Sequence, residues 1–224
     1  MEFLYKLFGY RKCGAFDIPG DKDWEYTKEV SEALKTAKQD LGDLSIYYQD
    51  QGKAPSCTAY ALAHCINIEI RKKLHYQPDV RGIDLWKHQQ ADAKSTLSSG
   101  DSLQHAMKCG TKYKIFDHVK KKWFDIKYYR VPKTDVLRAL EDDNVTLYTG
   151  LMVDSPMCDS GWYWRNTKRG GGHANCAHHG KRGLYGQGLN SWKKWGLKKT
   201  GAWFWHAKDT NSMFSFYAIE VVEI

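Results

Sequence analysis

The residues best suited to chemistry surround a cysteine at the predicted start of a helix. Residues 51–62 read Gln-Gly-Lys-Ala-Pro-Ser-Cys-Thr-Ala-Tyr-Ala-Leu, a loop that changes to a helical pattern at Ser56. Backbone N–H groups are unpaired at a helix start and the helix dipole is positive there, so a thiol in this position is favoured as the thiolate. Cys57 is therefore a candidate nucleophile. A small buried residue near a helix start is the alternative interpretation for any single cysteine.

A thiol nucleophile also needs a base within hydrogen-bond reach and a group that orients this base. His173 follows a run of three glycines, and Asn190 ends a later predicted strand. If residues 173–179 and 184–192 form a hairpin, the histidine that starts one strand and the asparagine that ends the other come close enough to pair. The asparagine carbonyl can then accept the imidazole N–H while the other ring nitrogen faces the thiol.

The elements that would position these residues divide the chain in two. Apolar periodicity predicts helices over 23–42, 56–74, 83–93 and 103–110. Ser56 is the predicted N-cap of the second helix, and Arg71, Lys72 and Lys73 suit its negative end. After residue 122 the pattern favours strands, at 123–131, 145–153, 184–192, 201–206 and 214–222, a segment that starts at His173, and one short helix over 132–140. A helical first half and a strand-rich second half predict an α+β fold of two lobes with a cleft between them.

Composition and charge are those of an ordinary globular domain with a basic surface. The 224 residues are 42% apolar and 27% charged, and they carry a formal net charge of +8. The basic residues are dispersed and no nucleic-acid recognition motif accompanies them, so we expect an acidic protein or assembly partner rather than nucleic acid. No stretch approaches the ~20 apolar residues of a membrane span. The six cysteines form no CxxC pair and no signal peptide precedes them, so we expect a cytoplasmic protein with reduced thiols.

Taken together, these residues resemble the signature of papain-like cysteine peptidases. The resemblance rests on Gln51, on Cys57 six residues later within Ser-Cys-Thr-Ala, on Gly-His-Ala at 172–174 and on Asn-Ser-Trp at 190–192. The form Gln-Gly-x-x-x-Ser-Cys-Thr-Ala is similar to the bacterial and phage branch of the family. The resemblance implies one domain over 1–224 with an N-terminal arm (1–22), a helical lobe (about 23–122) and an antiparallel, β-barrel-like lobe (about 123–224). The active-site cleft would lie between the two lobes.

The resemblance also implies a thiol protease, a hydrolase with a catalytic triad and an oxyanion hole. Cys57 would be the nucleophile, His173 the general base and acid, and Asn190 the residue that orients His173. Trp192 would shield their hydrogen bond from water. Gln51 would donate a side-chain N–H to the oxyanion beside the backbone N–H of Cys57. The enzyme would hydrolyse peptide bonds of a protein or peptide substrate through an acyl-thioester intermediate.

Gly100, Asp101 and Gly172 are the residues expected to contact the substrate. The two glycines would let an extended substrate backbone approach, and Asp101 is the neighbour of Gly100. For the glycines, plain loop flexibility is the alternative interpretation. No cofactor is expected. A zinc site is the alternative interpretation of the clustered residues Cys158, His173, Cys176, His178 and His179. Strand alternation sends His173 and Cys176 to opposite faces, so we expect no metal.

The sequence departs from the family pattern in three places. Ala54 stands where the family usually has a disulfide-bonded cysteine, and Pro55 stands where a glycine is common. After His173 the family runs through an apolar strand, whereas this chain has Asn175, His178 and His179. Buried polar groups need partners, so we expect this strand to be short or bulged.

These departures leave two other functions open. One is a catalytically silent papain-fold protein that binds a partner or forms a structural part of a larger assembly. The other is an amidase or transpeptidase that acts on cell-wall peptides, which ranks lower because such enzymes generally lack the Asn-Ser-Trp segment. A phage origin with association to the virion is the alternative to a purely cytoplasmic location.

Overall fold

The computed structural model describes residues 15–16, 24–34, 44–93, 100–153, 162–163, 171–192 and 201–224 of the chain. The α-helices in these ranges are α1 (Lys28–Leu34), α2 (Cys57–Leu74), α3 (Gly82–Ala93), α4 (Leu103–Tyr113) and α5 (Val136–Glu141), and Leu44–Tyr47 and Ala207–Ser212 are 3-10 helices. The strands are β1 (Ala15–Phe16), β2 (Trp24–Glu25), β3 (Asp101–Ser102), β4 (Ile115–Asp117), β5 (Lys122–Val131), β6 (Leu147–Val153), β7 (Trp162–Tyr163), β8 (Gly171–Lys181), β9 (Tyr185–Leu189), β10 (Ala202–His206) and β11 (Phe216–Glu223). None of the described helices is long and apolar enough to cross a membrane.

Most of these strands form one largely antiparallel sheet. Its order is β2-β5-β11-β6-β8-β9-β10-β7, with β4 paired to β5 off this path, while β1 and β3 pair separately. Closure into a barrel requires the first and last strands of a sheet to pair. Among the described strands, β2 and β7 each pair on one side only. The predicted α+β class is confirmed, and the sheet is open rather than a closed barrel.

Helix α2 is the central helix of the fold. Its side chains from Cys57 to Ile70 are buried on every side of the helix, as expected of a helix that is packed all round rather than on one stripe. The helix ends at His75, which adopts a left-handed conformation with φ of 57°. Helix α2 therefore acts as a fixed core element against which the sheet is positioned.

The direction of α2 relative to the sheet follows from three contacts. From the N-terminal to the C-terminal end of α2, the contacts are Thr58 with Tyr148, Cys65 with Leu147, and Lys72 with Thr146. Residue numbers rise along α2 while they fall along β6, so the two elements run antiparallel. Strand β6 pairs antiparallel with β8. The start of α2 and the start of β8 therefore lie at the same end of the fold.

A buried ion pair fixes the C-terminal end of α2 to the sheet. The Lys72 ammonium lies 3.0 Å from Glu69 Oε1, and both side chains are almost completely buried. Lys72 also donates to the carbonyl of Asn144 at 2.6 Å and to the hydroxyl of Thr146 at 2.8 Å, and the Thr146 backbone N–H donates to Glu69 at 2.9 Å. Lys72 was predicted to interact with the helix dipole, but its charge is neutralised inside the protein by this network.

Two clusters of buried apolar residues lie on either side of β8. Ala174 and Cys176 belong to the cluster that contains α2, whereas Ala177 belongs to the cluster built around α5, β10 and β11. Helix α1 is attached to this second cluster through Asp143. The buried carboxylate of Asp143 accepts hydrogen bonds from Tyr26, Ser31 and Arg138 at 2.8, 2.7 and 3.0 Å.

The structure confirms the helices predicted over 56–74, 83–93 and 103–110 and places a strand within every predicted strand segment. The helix predicted over 23–42 starts later, at Lys28, because Trp24–Glu25 pair with β5 as strand β2; residues 35–43 lie outside the described ones. Of the predicted arm, 1–22, the described part is Ala15–Phe16. The lobe boundary near residue 122 stays a prediction, and the strands on its two sides, β4 and β5, pair with each other.

The strand after His173 differs in part from its prediction. It is not short, because β8 runs for 11 residues to Lys181. It does contain the predicted bulge, at a register shift between Ala177 and His179. The shift leaves His178 buried and His179 exposed, so only one of these neighbouring histidines has to be accommodated inside the protein.

Candidate active site

Cys57 is the first residue of α2, at the positive end of the helix dipole. Ser56 occupies the predicted N-cap position, although its hydroxyl makes no capping hydrogen bond. Tyr148 of β6 holds the first turn instead, because its hydroxyl donates to the Thr58 carbonyl at 3.0 Å. Burial raises the pKa of Tyr148 well above its usual value, and the nearby Cys57 adds to the rise. Tyr148 therefore stays neutral and donates its hydrogen bond to the residue that follows Cys57.

His173 is positioned by the hairpin of β8 and β9. In this antiparallel pair Cys176 lies across from Leu189. Continuing the same register for three residues brings Trp192 across from His173, and opposite residues of antiparallel strands share a face. The two rings are indeed stacked, with centroids 3.5 Å apart and 15° between their planes. The predicted hairpin is confirmed, and its register explains why the indole covers the imidazole.

Asn190 lies on the same face, two residues before Trp192. Its side-chain oxygen accepts the backbone N–H of Trp192 at 2.6 Å, and its own backbone N–H donates to the carbonyl of Gly201 at 2.9 Å. These bonds hold the asparagine in a tight turn at the end of β9. A carboxamide oxygen can accept a second hydrogen bond, so the contact with Trp192 is compatible with the predicted role of orienting His173.

Gln51 is joined to the segment that carries Asn190 and Trp192. The side-chain oxygen of Gln51 accepts the hydroxyl of Ser191, and the backbone N–H of Gln51 donates to the Ser191 carbonyl at 3.0 Å. The side-chain N–H₂ of Gln51 donates to the carbonyl of Ala54 at 2.7 Å. This last contact uses the backbone of Ala54, so it does not depend on the cysteine that the family usually has there. One of the two amide hydrogens remains for a further acceptor.

The loop before Gln51 is tied to the helices through Gln49. The amide nitrogen of the Gln49 side chain donates to the Val80 carbonyl at 2.6 Å, and its oxygen accepts the Gly82 N–H at 2.8 Å. The backbone N–H of Gln49 donates to Nε2 of His64 at 3.1 Å. These bonds attach the loop to α2 and to the start of α3, so Gln51 extends from a fixed base.

The four residues predicted to catalyse the reaction lie toward one end of the fold. Cys57 starts α2, His173 lies near the start of β8, and Gln51 is bonded to the residue that follows Asn190. All four are buried, at 0% exposed for Cys57, 1% for His173, 4% for Gln51 and 6% for Asn190. A thiol at a helix start that is paired with a histidine is suited to nucleophilic chemistry, and the pairing of Cys57 with His173 stays a prediction. The described cysteines are free thiols, and Cys13 and Cys158 lie outside the described residues.

Gly100, Asp101 and Gly172, predicted to contact the substrate, lie on two separate elements. Gly100 has φ of 98°, a conformation that favours glycine, directly before β3. The carboxylate of Asp101 lies 2.6 Å from Nδ1 of His105, so it already has an internal partner. Gly172 of β8 pairs with Met152 of β6. Contact of these three residues with a substrate stays a prediction.

Ser191 and Tyr148 hydrogen-bond to the segments that carry Gln51 and Cys57, and the sequence did not reveal these contacts. Ser191 lies inside the Asn-Ser-Trp segment, but its bond to Gln51 spans 140 residues. Tyr148 lies in a strand whose pattern indicated burial without a partner for its hydroxyl. The available signal for Ser191 was its position between two predicted site residues. The available signal for Tyr148 was a tyrosine in a predicted buried strand, because a buried phenol hydroxyl requires a hydrogen-bond acceptor.

Comparison with known proteins gives a result at the level of structure. No protein-family model matches the sequence, and none of the curated proteins matches it. Xylellain, a cysteine protease from Xylella fastidiosa, has a TM-score of 0.73 at 19% identity, over 95% of this chain and 97% of that one. The procathepsin B S9 of Trypanosoma congolense has a TM-score of 0.67 at 16% identity, over 93% and 85%.

The digestive procathepsin L 3 of the Tenebrio molitor larval midgut is similar over 97% of this chain and 78% of that one, with a TM-score of 0.61 at 11% identity. Sequence identities this low show a shared fold and do not show a shared activity. The match over nearly the whole of this chain accords with the order of helices and strands described above. The chain has the papain-like fold.

Proposed function

We propose that the chain is a cysteine endopeptidase that cleaves peptide bonds through Cys57, His173 and Asn190, with Gln51 in the oxyanion hole. One observation carries the proposal: Cys57 begins α2 at the end of the fold where His173 stacks on Trp192. The fold that the chain shares with xylellain, a cysteine protease, supports it further.

Acylation begins with Cys57 as a thiolate and His173 as an imidazolium. The thiolate attacks the substrate carbonyl, and the resulting oxyanion accepts hydrogen bonds from the Cys57 backbone N–H and the side-chain N–H of Gln51. Such donors lower the barrier by ~3–4 kcal/mol. His173 then protonates the leaving amine as the C–N bond breaks, which leaves an acyl-thioester on Cys57.

Deacylation uses the same groups in the reverse proton roles. Neutral His173 takes a proton from water, whose oxygen attacks the thioester carbonyl. The second tetrahedral intermediate uses the same oxyanion donors and collapses with release of the carboxylic acid and the Cys57 thiolate. Asn190 keeps the imidazole in the orientation required for both proton transfers.

The burial of Cys57 favours a second candidate, a papain-fold protein that binds a partner and does not catalyse. A thiol with 0% exposure cannot meet an extended peptide unless neighbouring residues move. The endopeptidase proposal therefore requires that a substrate or thiol reagent can open the site, and the binding proposal requires that it cannot. The two functions make opposite predictions for the chemistry of this one sulfur atom.

Peptide hydrolysis by Cys57→Ala tests the endopeptidase directly. We expect complete loss of turnover on fluorogenic peptides, because no other group supplies the nucleophile. Cys65→Ala is the matched control, since Cys65 is an equally buried free thiol on the same helix. Cys65→Ala should keep its activity. Retained activity in Cys57→Ala would falsify the proposal.

The rate of alkylation separates the two candidates even without a known substrate. Iodoacetamide at neutral pH should modify Cys57 much faster than Cys65, Cys109 or Cys176, because only an activated thiolate reacts quickly. Labelling of Cys57 by a thiol-directed epoxide, located by mass spectrometry, gives a second readout. Equal rates at all described cysteines would favour the binding protein.

A further inference from the structure

A second group of reactive side chains lies at the junction of α3 and α4. Asp92 lies near the end of α3, and His105 and Cys109 lie one turn apart on α4. Nε2 of His105 lies 3.1 Å from Oδ2 of Asp92 and 3.4 Å from Sγ of Cys109. One potential ligand atom from each of the three residues falls within 4.8 Å of the other two. None of these residues belongs to the candidate active site.

We propose that Asp92, His105 and Cys109 bind a divalent metal ion of the zinc type, with water as the fourth ligand. Zinc takes carboxylate oxygen, imidazole nitrogen and thiolate sulfur at ~2.0–2.3 Å in tetrahedral geometry. That geometry puts nitrogen and oxygen ligands ~3.3 Å apart and nitrogen and sulfur ligands ~3.6 Å apart. The observed separations of 3.1 and 3.4 Å are within a few tenths of an ångström of these values. Two of the three ligand pairs are therefore already spaced as a tetrahedral ion requires, and the third pair, Asp92 with Cys109, lies within 4.8 Å.

Asp101 supplies the orientation that a ligating histidine normally requires. Its Oδ2 lies 2.6 Å from Nδ1 of His105, and its Oδ1 is held by the backbone N–H of Ser102 at 2.7 Å. A proton on Nδ1 shared with this carboxylate leaves the lone pair of Nε2 free to face Asp92 and Cys109. Carboxylate–histidine–metal arrangements of this kind are common around bound metals. Asp101 thus has a role as a positioning residue for the metal.

The orientation of the Asp92 carboxylate and the exposure of the group also suit a bound ion. Oδ1 of Asp92 interacts with Lys112 and Tyr113, which leaves Oδ2 as the ligand atom. The side chains of Asp92 and His105 are 26% and 25% exposed, while Cys109 is buried. An ion can therefore enter from the Asp92 and His105 side, where water completes the coordination. A thiolate among the ligands favours zinc-type ions over magnesium or calcium.

The competing arrangement is a protonated His105 between two carboxylates. In that form the imidazolium pairs with Asp92 and Asp101, and the Cys109 thiol is a bystander. Metal binding replaces the proton on Nε2 and the thiol proton by one ion. The two arrangements differ in whether Cys109 becomes a thiolate ligand, and that difference can be observed.

Cobalt(II) substitution provides the test, because a cobalt–thiolate bond gives a charge-transfer absorption that an imidazole or carboxylate does not. The full chain, stripped with a chelator, is titrated with Co²⁺ alone. We expect one equivalent to bind with this absorption and with the strong visible bands of tetrahedral coordination, and Zn²⁺ to bleach both. Absence of saturable binding would overturn the proposal.

Variants locate the metal. Cys109→Ser should lose the charge-transfer absorption and His105→Gln should lose saturable binding, whereas Cys57→Ser should keep both. Far-ultraviolet circular dichroism checks that each variant is folded, and two ligand variants guard against failure of either one to fold. An absorption that persists in Cys109→Ser and disappears in Cys57→Ser would place the metal at the candidate nucleophile and refute the site.

Asp101→Asn tests the positioning role. Loss of a carboxylate behind a ligating histidine weakens metal binding ~10–100-fold without removing a ligand. The charge-transfer absorption should therefore remain while the affinity for Co²⁺ falls by this factor. Unchanged affinity would show that Asp101 does not orient His105 toward a metal. Because no substrate is used, these outcomes are independent of the proposed peptidase activity.

Discussion

Gln51 and Ser191 are joined by two hydrogen bonds, one through the backbone and one through the side chains. The Gln51 N–H donates to the Ser191 carbonyl at 3.0 Å, and the Ser191 hydroxyl donates to the side-chain oxygen of Gln51. The serine stands between Asn190 and Trp192, so the loop that would hold the oxyanion is attached directly to the segment that covers His173. A displacement of either segment is transmitted to the other.

Ser191→Ala should slow turnover because it loosens the position of the Gln51 side chain. The substitution removes one neutral hydrogen bond, worth ~1 kcal/mol, which corresponds to a roughly 5-fold decrease in kcat. Gln51→Ala removes the oxyanion donor itself and should cost ~100–1,000-fold. Both changes should leave KM nearly unchanged, because the bond is needed when the oxyanion forms. Steady-state kinetics on a fluorogenic peptide measure both parameters.

The same substitution at Ser212 is the matched control for this experiment. The Ser212 hydroxyl donates to the carbonyl of Asp209 within the 3-10 helix Ala207–Ser212, a segment separate from those that carry Gln51, His173 and Asn190. The kcat and KM of the Ser212→Ala variant should equal those of the unsubstituted chain. If Ser191→Ala raised KM and left kcat unchanged, the serine would act on substrate binding and not on the position of Gln51.

Trp192 should matter for stability and for activity in a graded way. Trp192→Ala leaves a cavity against His173 and should cost ~3–5 kcal/mol of the free energy of unfolding. Trp192→Phe keeps a flat ring over the imidazole and should cost less. The value of kcat/KM should fall in the same order, because water reaches the side of His173 that Asn190 is proposed to orient.

Urea unfolding and kcat/KM, measured at a temperature where both variants stay folded, separate the two effects of Trp192. The stacking distance of 3.5 Å predicts that the phenylalanine variant keeps most of its activity. Equal kcat/KM in the alanine variant and the unsubstituted chain would exclude a shielding role for the indole.

The sequence revealed those parts of the fold and site that depend on local pattern. Helix α2 was predictable over 56–74 because apolar residues recur at each turn, and the observed bounds differ by one residue. The hairpin of β8 and β9 was predictable because two strand segments flank a short turn. Its register at His173 was not predictable from the turn, because the bulge between Ala177 and His179 shifts the pairing by one residue and so carries Trp192 to His173.

Contacts between distant residues were not predictable from local pattern. Lys72 belongs to a basic run at a helix end, which usually indicates a solvated charge, yet its ammonium is buried against Glu69 and the start of β6. His178 and His179 are indistinguishable in the sequence, and a bulge decides which of them is buried. Asp92 and His105 lie 13 residues apart on two different helices, so their contact depends on how α3 packs on α4.

His64 should make the protein less stable in acid. Burial lowers the pKa of His64 to about 3, whereas an exposed histidine in the unfolded chain titrates near ~6.5. Below pH ~6.5 the unfolded chain therefore binds a proton that the folded chain does not. The contribution of His64 to stability is fully present above this pH and falls by ~1.4 kcal/mol per pH unit as the pH decreases toward about 3.

His64→Gln removes this titration while keeping an acceptor for the Gln49 N–H. The slope of the free energy of unfolding between pH 4 and 6 should decrease by about 1.4 kcal/mol per pH unit, as measured by urea unfolding. The same slope is measured for His178→Gln as a comparison, because burial also lowers the pKa of His178 to about 3. A slope that does not change in His64→Gln would mean that His64 is already protonated in the folded protein.

The ion pair between Lys72 and Glu69 provides a prediction that concerns the sheet and α2 together. Lys72→Met leaves the Glu69 carboxylate buried without its cation and should cost ~3–5 kcal/mol of the free energy of unfolding. Adding Glu69→Gln removes that charge but keeps an oxygen for the Thr146 N–H, so the double variant should be more stable than Lys72→Met alone. Urea unfolding of both single variants and the double variant gives the coupling energy. If the two destabilisations simply added, the lysine would contribute through its bonds to Asn144 and Thr146, and the pairing of charges would be irrelevant to the attachment of α2.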